Sequence, residues 1–254
     1  MIVLDEKLIE EISSSNLFSE AVLFFWNTRN SQSIQQQARG GVDQGSRSSV
    51  TGGKQMDGFI ELISGLLQKI GTPRSDIYLN SKLELPGYYR SEKKWDLLVI
   101  KRKNNQNELV AVIELKSQIG PSFGNNFNNR TEEAMGSAHD LWTAFREGAY
   151  LNSSTPWLGY LVLLEDCERS RSPVKVSEPH FKVFPEFKNA SYNDRYREFC
   201  LRLVRERLYT TSCFLTASMD LKNCAKNYNE PHDLLSAKRF LISLLAHVNG
   251  YYNM

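Results

Sequence analysis

The sequence predicts a mixed α/β fold, a central mixed β-sheet flanked by helices, and three observations carry that prediction. Trp95 to Lys101 and Leu109 to Lys116 are short, strongly apolar runs separated by a polar segment, which is the pattern of a hairpin. Apolar residues recur at helical spacing both before and after this pair. Strands and helices then interleave without strict βαβ alternation, which favours a mixed sheet over a parallel one.

Taken in order, the first forty residues are helical in pattern, with Phe18, Ala21, Val22, Phe25 and Trp26 on one side. Arg39 to Arg47 is too rich in glycine for helix or strand and reads as a loop. A second helix fits 54 to 70, where Met56, Phe59, Ile60, Ile63, Leu66 and Leu67 share a side and Gly71-Thr72-Pro73 ends it. Ile77-Tyr78-Leu79 is a short strand, and Leu85-Pro86-Gly87 reads as a break. The central pair follows, joined by the polar stretch Arg102 to Glu108. A long helix is expected from about Arg130 to Gly148, with Asn129 as N-cap and Glu132 completing a capping box. Trp157 to Leu164 reads as a buried strand. A helix near 192 to 208, a strand at 211 to 216 and a helix near 233 to 248 complete a single expected domain over 1–254, with a helical extension at 1–38 and a strand and helix of 210–254 packed on it.

Composition narrows the class without choosing a function. Hydrophobic residues make up 41% and charged residues 24% of 254, ordinary for a globular protein with its own core. Cys167, Cys200, Cys213 and Cys224 form no C-x-x-C pair, which argues against a zinc ribbon or a disulfide framework and for free thiols in a reducing cytoplasm. The amino terminus lacks a basic start and long apolar run, so export is not expected, and no stretch reaches membrane-spanning length without charges. A net charge of +2 means that any nucleic-acid contact must come from a local basic surface.

The chemistry sits on the central pair. Alternate residues of a strand share a face, so Glu114 and Lys116 point one way and Leu115 points the other with Ile113 and Ala111. A turn centred on Asn105 puts Asp96 opposite Glu114, and directly opposed residues project from the same face. Two facing carboxylates repel, and a divalent cation offsets that repulsion well: Mg²⁺ takes one or two carboxylates and keeps water on its other positions. The Leu115 carbonyl lies between the ligands as a further oxygen. Lys116 can orient or activate water and stabilise charge on a phosphate. Asp57 and Glu61, four apart on the second helix, are either a third carboxylate for this metal or a solvated face.

Gln118 and the run Asn125, Asn126, Asn128, Asn129 and Arg130 form a polar loop after the site. Amides can bond adenine and arginine can bond guanine, each bidentately, although asparagines also serve simply as turn formers. Arg130, at the expected helix amino terminus, adds free N–H groups for a phosphate. Arg39 and Arg47 are further base-contact candidates. Arg195, Arg197, Arg202, Arg205 and Arg207 give the later helix a basic side, for DNA backbone or for solvent. Gly52-Gly53-Lys54 lacks the residues of a phosphate loop, and the four histidines have no metal-ligand spacing.

Met56-Asp57-Gly58-Phe59, Leu85-Pro86-Gly87, Trp95 to Val99, Glu114-Leu115-Lys116-Ser117-Gln118, Gly124 to Arg130 and Ala138 to Ala144 together resemble the XhoI-type restriction endonucleases. So do Leu164-Glu165-Asp166 and Pro185-Glu186-Phe187, over about Arg39 to past Tyr209. Those enzymes are PD-(D/E)xK nucleases, with Trp95 here where proline often precedes the aspartate. The resemblance implies a restriction-endonuclease-like fold with a four-stranded mixed sheet, Asp96 and Glu114 as Mg²⁺ ligands and Lys116 as the catalytic lysine. It further implies a homodimer on double-stranded DNA, cleavage of CTCGAG after the first C with a 5′ overhang, and a partner DNA methyltransferase. A structure-selective repair or recombination nuclease of the same fold, or a non-catalytic DNA-binding module, are the rival readings.

Overall fold

Apolar residues three and four apart give the amino-terminal segment a continuous buried side: Leu8 and Ile12 on α1 (Glu6–Ser14), then Phe18, Val22, Phe25 and Trp26 on α2 (Leu17–Ala38). In this computed structural model, residues 6–14, 16–38, 54–103, 106–151, 153–221 and 226–254 are described; Arg39, Arg47, Cys224 and Asn105 lie outside them. A 3₁₀ turn at Lys54–Met56 leads into α3 (Asp57–Lys69), which buries Phe59, Ile60, Ile63, Leu66 and Leu67, the side that the sequence pattern marks out. Gly71, at φ 94°, follows the end of α3 in the left-handed region that glycine tolerates best.

The strands are β1 (Ile77–Tyr78), β2 (Glu84–Pro86), β3 (Glu92–Lys94), β4 (Leu97–Lys103) and β5 (Gln106–Gln118). After them come α4 (Phe123–Arg146), β6 (Trp157–Glu165), the one-turn α5 (Glu168–Arg171), α6 (Tyr192–Arg205), β7 (Thr211–Ala217) and α7 (Ala237–Tyr252). Five strands form one mixed sheet in the order β1-β4-β5-β6-β7. The first two pairings are antiparallel, and β5-β6 and β6-β7 are parallel.

Alternation along the strands supplies two cores. Leu97, Val99, Ala111, Ile113, Leu115, Leu161, Leu163, Cys213 and Leu215 bury one face against α1, α2, α3 and α7. Leu98, Val112, Tyr160, Val162, Leu164 and Phe214 bury the other against α4 and α6. Helices on both faces leave the middle strands apolar on both sides, which accounts for the near-continuous run Leu158 to Leu164.

Four expectations change. The sheet has five strands rather than four, because β7 adds in parallel beyond β6 and β1 closes the other edge. Leu85-Pro86-Gly87 is no simple break: Glu84, Leu85 and Pro86 pair with Lys94, Lys93 and Glu92 in a separate two-stranded sheet. A proline fits such a short strand because it forfeits only one ladder hydrogen bond. The polar stretch Arg102 to Glu108 is mostly strand, since β4 and β5 run to Lys103 and Gln106 with two residues between them. Finally, α4 begins at Phe123, so Asn129 lies inside the helix and the capping box with Glu132 does not form. Phe123 and Phe127, four apart, are buried against Tyr192, Tyr196 and Phe199 of α6, and that packing draws the asparagine run into helix.

Candidate active site

The register at the site follows from one surplus residue. Leu97, Leu98 and Val99 pair with Ile113, Val112 and Ala111, whereas Ile100 pairs with Leu109. Val110 is therefore a bulge, and it restores the register that the pairing of Lys103 with Gln106 would shift by one residue. Its carbonyl lies 3.1 Å from His247 Nε2, a contact that helps to hold the bulge against α7. One step beyond Leu97 and Ile113, Asp96 comes opposite Glu114, as the register argument expects. Asp96 N donates to Ile113 O (3.2 Å), and Leu115 N donates to Asp96 Oδ2 (2.7 Å). Because Ile113 O faces β4, the Leu115 carbonyl two residues on faces the same edge, past the last paired residue of β4.

Glu114 is the buried centre, 1% exposed. Lys116 Nζ lies 2.5 Å from Glu114 Oε1, and Lys93 Nζ lies 2.8 Å from Oε2 and 3.1 Å from Oε1. The Lys93 approach to Oε2 is close in distance but poor in direction, so this buried oxygen accepts no well-formed hydrogen bond among the described residues. Burial alone would raise the Glu114 carboxyl, but Lys116 and then Lys93 outweigh it and hold the group below its ordinary value. Burial and the neighbouring Glu114 push Asp96 the other way, above its ordinary value, against the opposing pull of Lys116. Desolvation would lower the Lys116 ammonium, yet Glu114 and Asp96 prevail and keep it protonated.

The site opens into a groove of about 330 Å³ lined by Arg90, Lys93, Glu114, Lys116, Arg130 and residues of α4 from Glu132 to Ser137. Arg130 thus comes to the centre, from the second turn of α4 and paired with Glu133 at 2.7 Å, rather than at a helix amino terminus. Asn125, Asn128 and Asn129 are exposed on the first turns of α4, and Asn126 is half-buried. Gln118 is 2% exposed, with its Nε2 donating to Ile119 O (2.8 Å) and its Oε1 accepting from Tyr196 (3.3 Å); it braces β5 on α6. Asp57 and Glu61 do not line this groove; burial and Glu61 raise the Asp57 carboxyl against Lys54, and the described residues hold no cluster of three or more His, Cys, Asp or Glu side chains fit for a metal.

This geometry does not by itself name a family, and comparison with known proteins does. The model of the restriction endonuclease XhoI family matches residues 35–229. The chain belongs to the XhoI restriction endonuclease family. It is 54% identical over 209 residues to the type II restriction enzyme BstVI of Geobacillus stearothermophilus, covering 82% of this chain and 93% of that one. The type II restriction enzyme XhoI of Xanthomonas vasicola is 49% identical over 184 residues, 71% of each chain. The type II restriction enzyme AbrI of Azospirillum brasilense is 48% identical over 164 residues, 64% of this chain and 72% of that one. No solved structure matches the fold at a significant level. As a member of this family the chain is an enzyme, a site-specific endonuclease of type II.

Two features of this family member escape a reading of strands and motifs. Lys93 belongs to the run Glu92-Lys93-Lys94 just before Trp95-Asp96, and its position opposite Leu85 becomes visible only once the β2-β3 pairing is known. Arg90 enters the groove because Asp140, 3% exposed on α4, accepts from Tyr88 N and Tyr89 N (2.8 Å each) and from Arg90 Nε (2.7 Å). His139 stacks on Tyr89 beside it, with the Tyr89 hydroxyl 3.2 Å from His139 Nε2. No helix among the described residues is long and apolar enough to cross a membrane.

Proposed function

We propose that the chain hydrolyses phosphodiester bonds of duplex DNA at CTCGAG, after the first C, with Mg²⁺ held by Asp96, Glu114 and the Leu115 carbonyl. The observation that carries the chemistry is the buried Glu114, opposed to Asp96 and flanked by Lys116 at the end of a basic groove. The donor set suits the ion. It is all oxygen, as a hard cation requires, and Glu114 Oε2 is a buried acceptor without a well-formed hydrogen bond. When bound, Mg²⁺ supplies positive charge for the phosphate oxygens and acidifies water.

The chain's own residues do the rest. Lys116, kept as an ammonium, orients the attacking water and stabilises charge on the phosphate as the water oxygen joins phosphorus. The bond from phosphorus to the bridging oxygen breaks as the new bond forms, and the leaving oxygen takes up a solvent proton in exchange for the one that the attacking water releases to solvent. Arg90 and Arg130, both in the groove lining, hold the strand by its phosphates. Asn125, Asn128 and Asn129, exposed on α4, are the base-contact candidates. A homodimer suits the palindrome, since two-fold protein symmetry matches two-fold DNA and each subunit cuts one strand. The free thiols Cys167, Cys200 and Cys213 fit a reducing cytoplasm, where a DNA methyltransferase would protect the host's own sites.

Digestion of a plasmid of known sequence tests this. Discrete fragments with 5′-TCGA ends are expected in Mg²⁺ and none in EDTA. Ends at another palindrome would overturn the site; cutting confined to branched DNA would favour a repair nuclease.

A further inference from the structure

Glu114 has two ammonium neighbours, and only Lys116 comes from its own strand. Lys93 reaches it from β3, whose strand pairing among the described residues is with β2 in the separate two-stranded sheet. The Lys93 side chain is 14% exposed, and its Nζ lies 4.4 Å from the centroid of the Trp95 ring. Beyond it, the hairpin tip bears the exposed Tyr88 and Tyr89 and the groove residue Arg90.

We propose that Lys93 is a positioning residue that stands in the cation's place beside Glu114 until DNA arrives, so that DNA gates metal uptake. This rests on the function proposed above. A divalent ion seated on Glu114 Oε2 cannot share that oxygen with an ammonium 2.8 Å away, because the two positive charges repel in a poorly solvated site. Lys116 can stay, being on Oε1; Lys93 straddles the carboxylate, 2.8 Å from Oε2 and hydrogen-bonded to Oε1 at 3.1 Å, so an ion on Oε2 displaces its Nζ from that side. Once displaced, its charge needs an anion. Of the other groove carboxylates, Glu133 is already paired with Arg130, and Glu132 is exposed. A DNA phosphate in the groove supplies the missing charge. DNA therefore eases the removal of Lys93 and tightens metal binding, and by linkage the metal tightens DNA binding by the same factor.

Lys93→Met keeps an apolar side chain one atom shorter over Trp95 and removes the charge; Lys93→Gln serves the same purpose with a polar end, and circular dichroism checks the fold of both. With Mn²⁺ as the probe, titrated into DNA-free protein and read by electron paramagnetic resonance, each folded variant should bind the ion about tenfold more tightly than the unaltered chain. Lys93→Arg, which keeps the charge, should bind like the unaltered chain. In fluorescence anisotropy with a CTCGAG duplex, Ca²⁺ should tighten DNA binding by the unaltered chain and do so much less for the neutral variants. Equal or weaker Mn²⁺ binding by the neutral variants, with Glu114→Gln abolishing it, would overturn the gate and leave the metal site standing. Mn²⁺ binding indifferent to Glu114→Gln would overturn the metal site and the gate together.

Discussion

Asp96 and Glu114 face each other with opposite relations to the fold. Asp96 has a raised pKa, so its neutral form favours folding: that stability is present below the unfolded value and lost as pH rises through the higher folded value. At neutral pH its ionised carboxylate is a net cost in the metal-free protein. Glu114 has a lowered pKa, so its ionised form favours folding, a contribution present above the unfolded value and lost as pH falls through the lower folded one. Asp96→Asn should therefore raise the thermal midpoint in EDTA while abolishing Mg²⁺-dependent cutting, and its side-chain oxygen still accepts from Leu115 N. Glu114→Gln should lower the midpoint, because Lys116 and Lys93 lose their counter-charge, and should cost about 1.5–3 kcal/mol of unfolding free energy in urea at pH 7. Equal shifts of the same sign would refute the charge assignment.

The β2-β3 hairpin depends on one carboxylate of α4. Asp140 takes two backbone N–H groups and the Arg90 guanidinium, and a side chain at Gly87 would run into its Oδ2. Asp140→Ala should destabilise the protein by about 2–3 kcal/mol in chemical denaturation, and Asp140→Asn by less, since an amide oxygen keeps both N–H contacts and only Arg90 meets a donor. The strands that build the site were legible because alternation and register act locally: Asp96, Glu114 and Lys116 could be placed on one face from spacing alone. The hairpin was not, because Leu85-Pro86-Gly87 carries turn residues and its pairing is fixed by α4, more than fifty residues away in sequence by the Tyr88–Asp140 contact. The asparagine run failed similarly. Asparagine favours turns by bonding its own backbone, but Phe123 and Phe127 gain more from burial against Tyr192, Tyr196 and Phe199.

The match to the family model starts at residue 35, yet the core starts earlier. Phe18, Val22 and Phe25 are fully buried and Trp26 nearly so, in the cluster that also holds α3, α7 and one face of the sheet. Four such side chains are worth about 6–12 kcal/mol of burial at roughly 1.5–3 kcal/mol each. That is comparable with the whole stability of an ordinary domain, about 5–15 kcal/mol. Removal of residues 1–34 is thus expected to give insoluble or unfolded protein, judged by solubility and circular dichroism, although every proposed catalytic residue would remain. A folded, active truncation would show the amino-terminal helices to be a dispensable extension.

The exposed amides on α4 also set a ruler against the DNA. Asn125, Asn128 and Asn129 occupy i, i+3 and i+4 and so form one stripe along the helix. At about 1.5 Å per residue the stripe is about 6 Å long, and successive base pairs are stacked about 3.4 Å apart. Laid along a groove, it spans about two base-pair steps, the distance from the first to the third of three stacked pairs, and each half of the proposed six-base palindrome has three pairs. On the proposed function, one helix is therefore long enough to address a whole half-site, which leaves the other half to a two-fold mate.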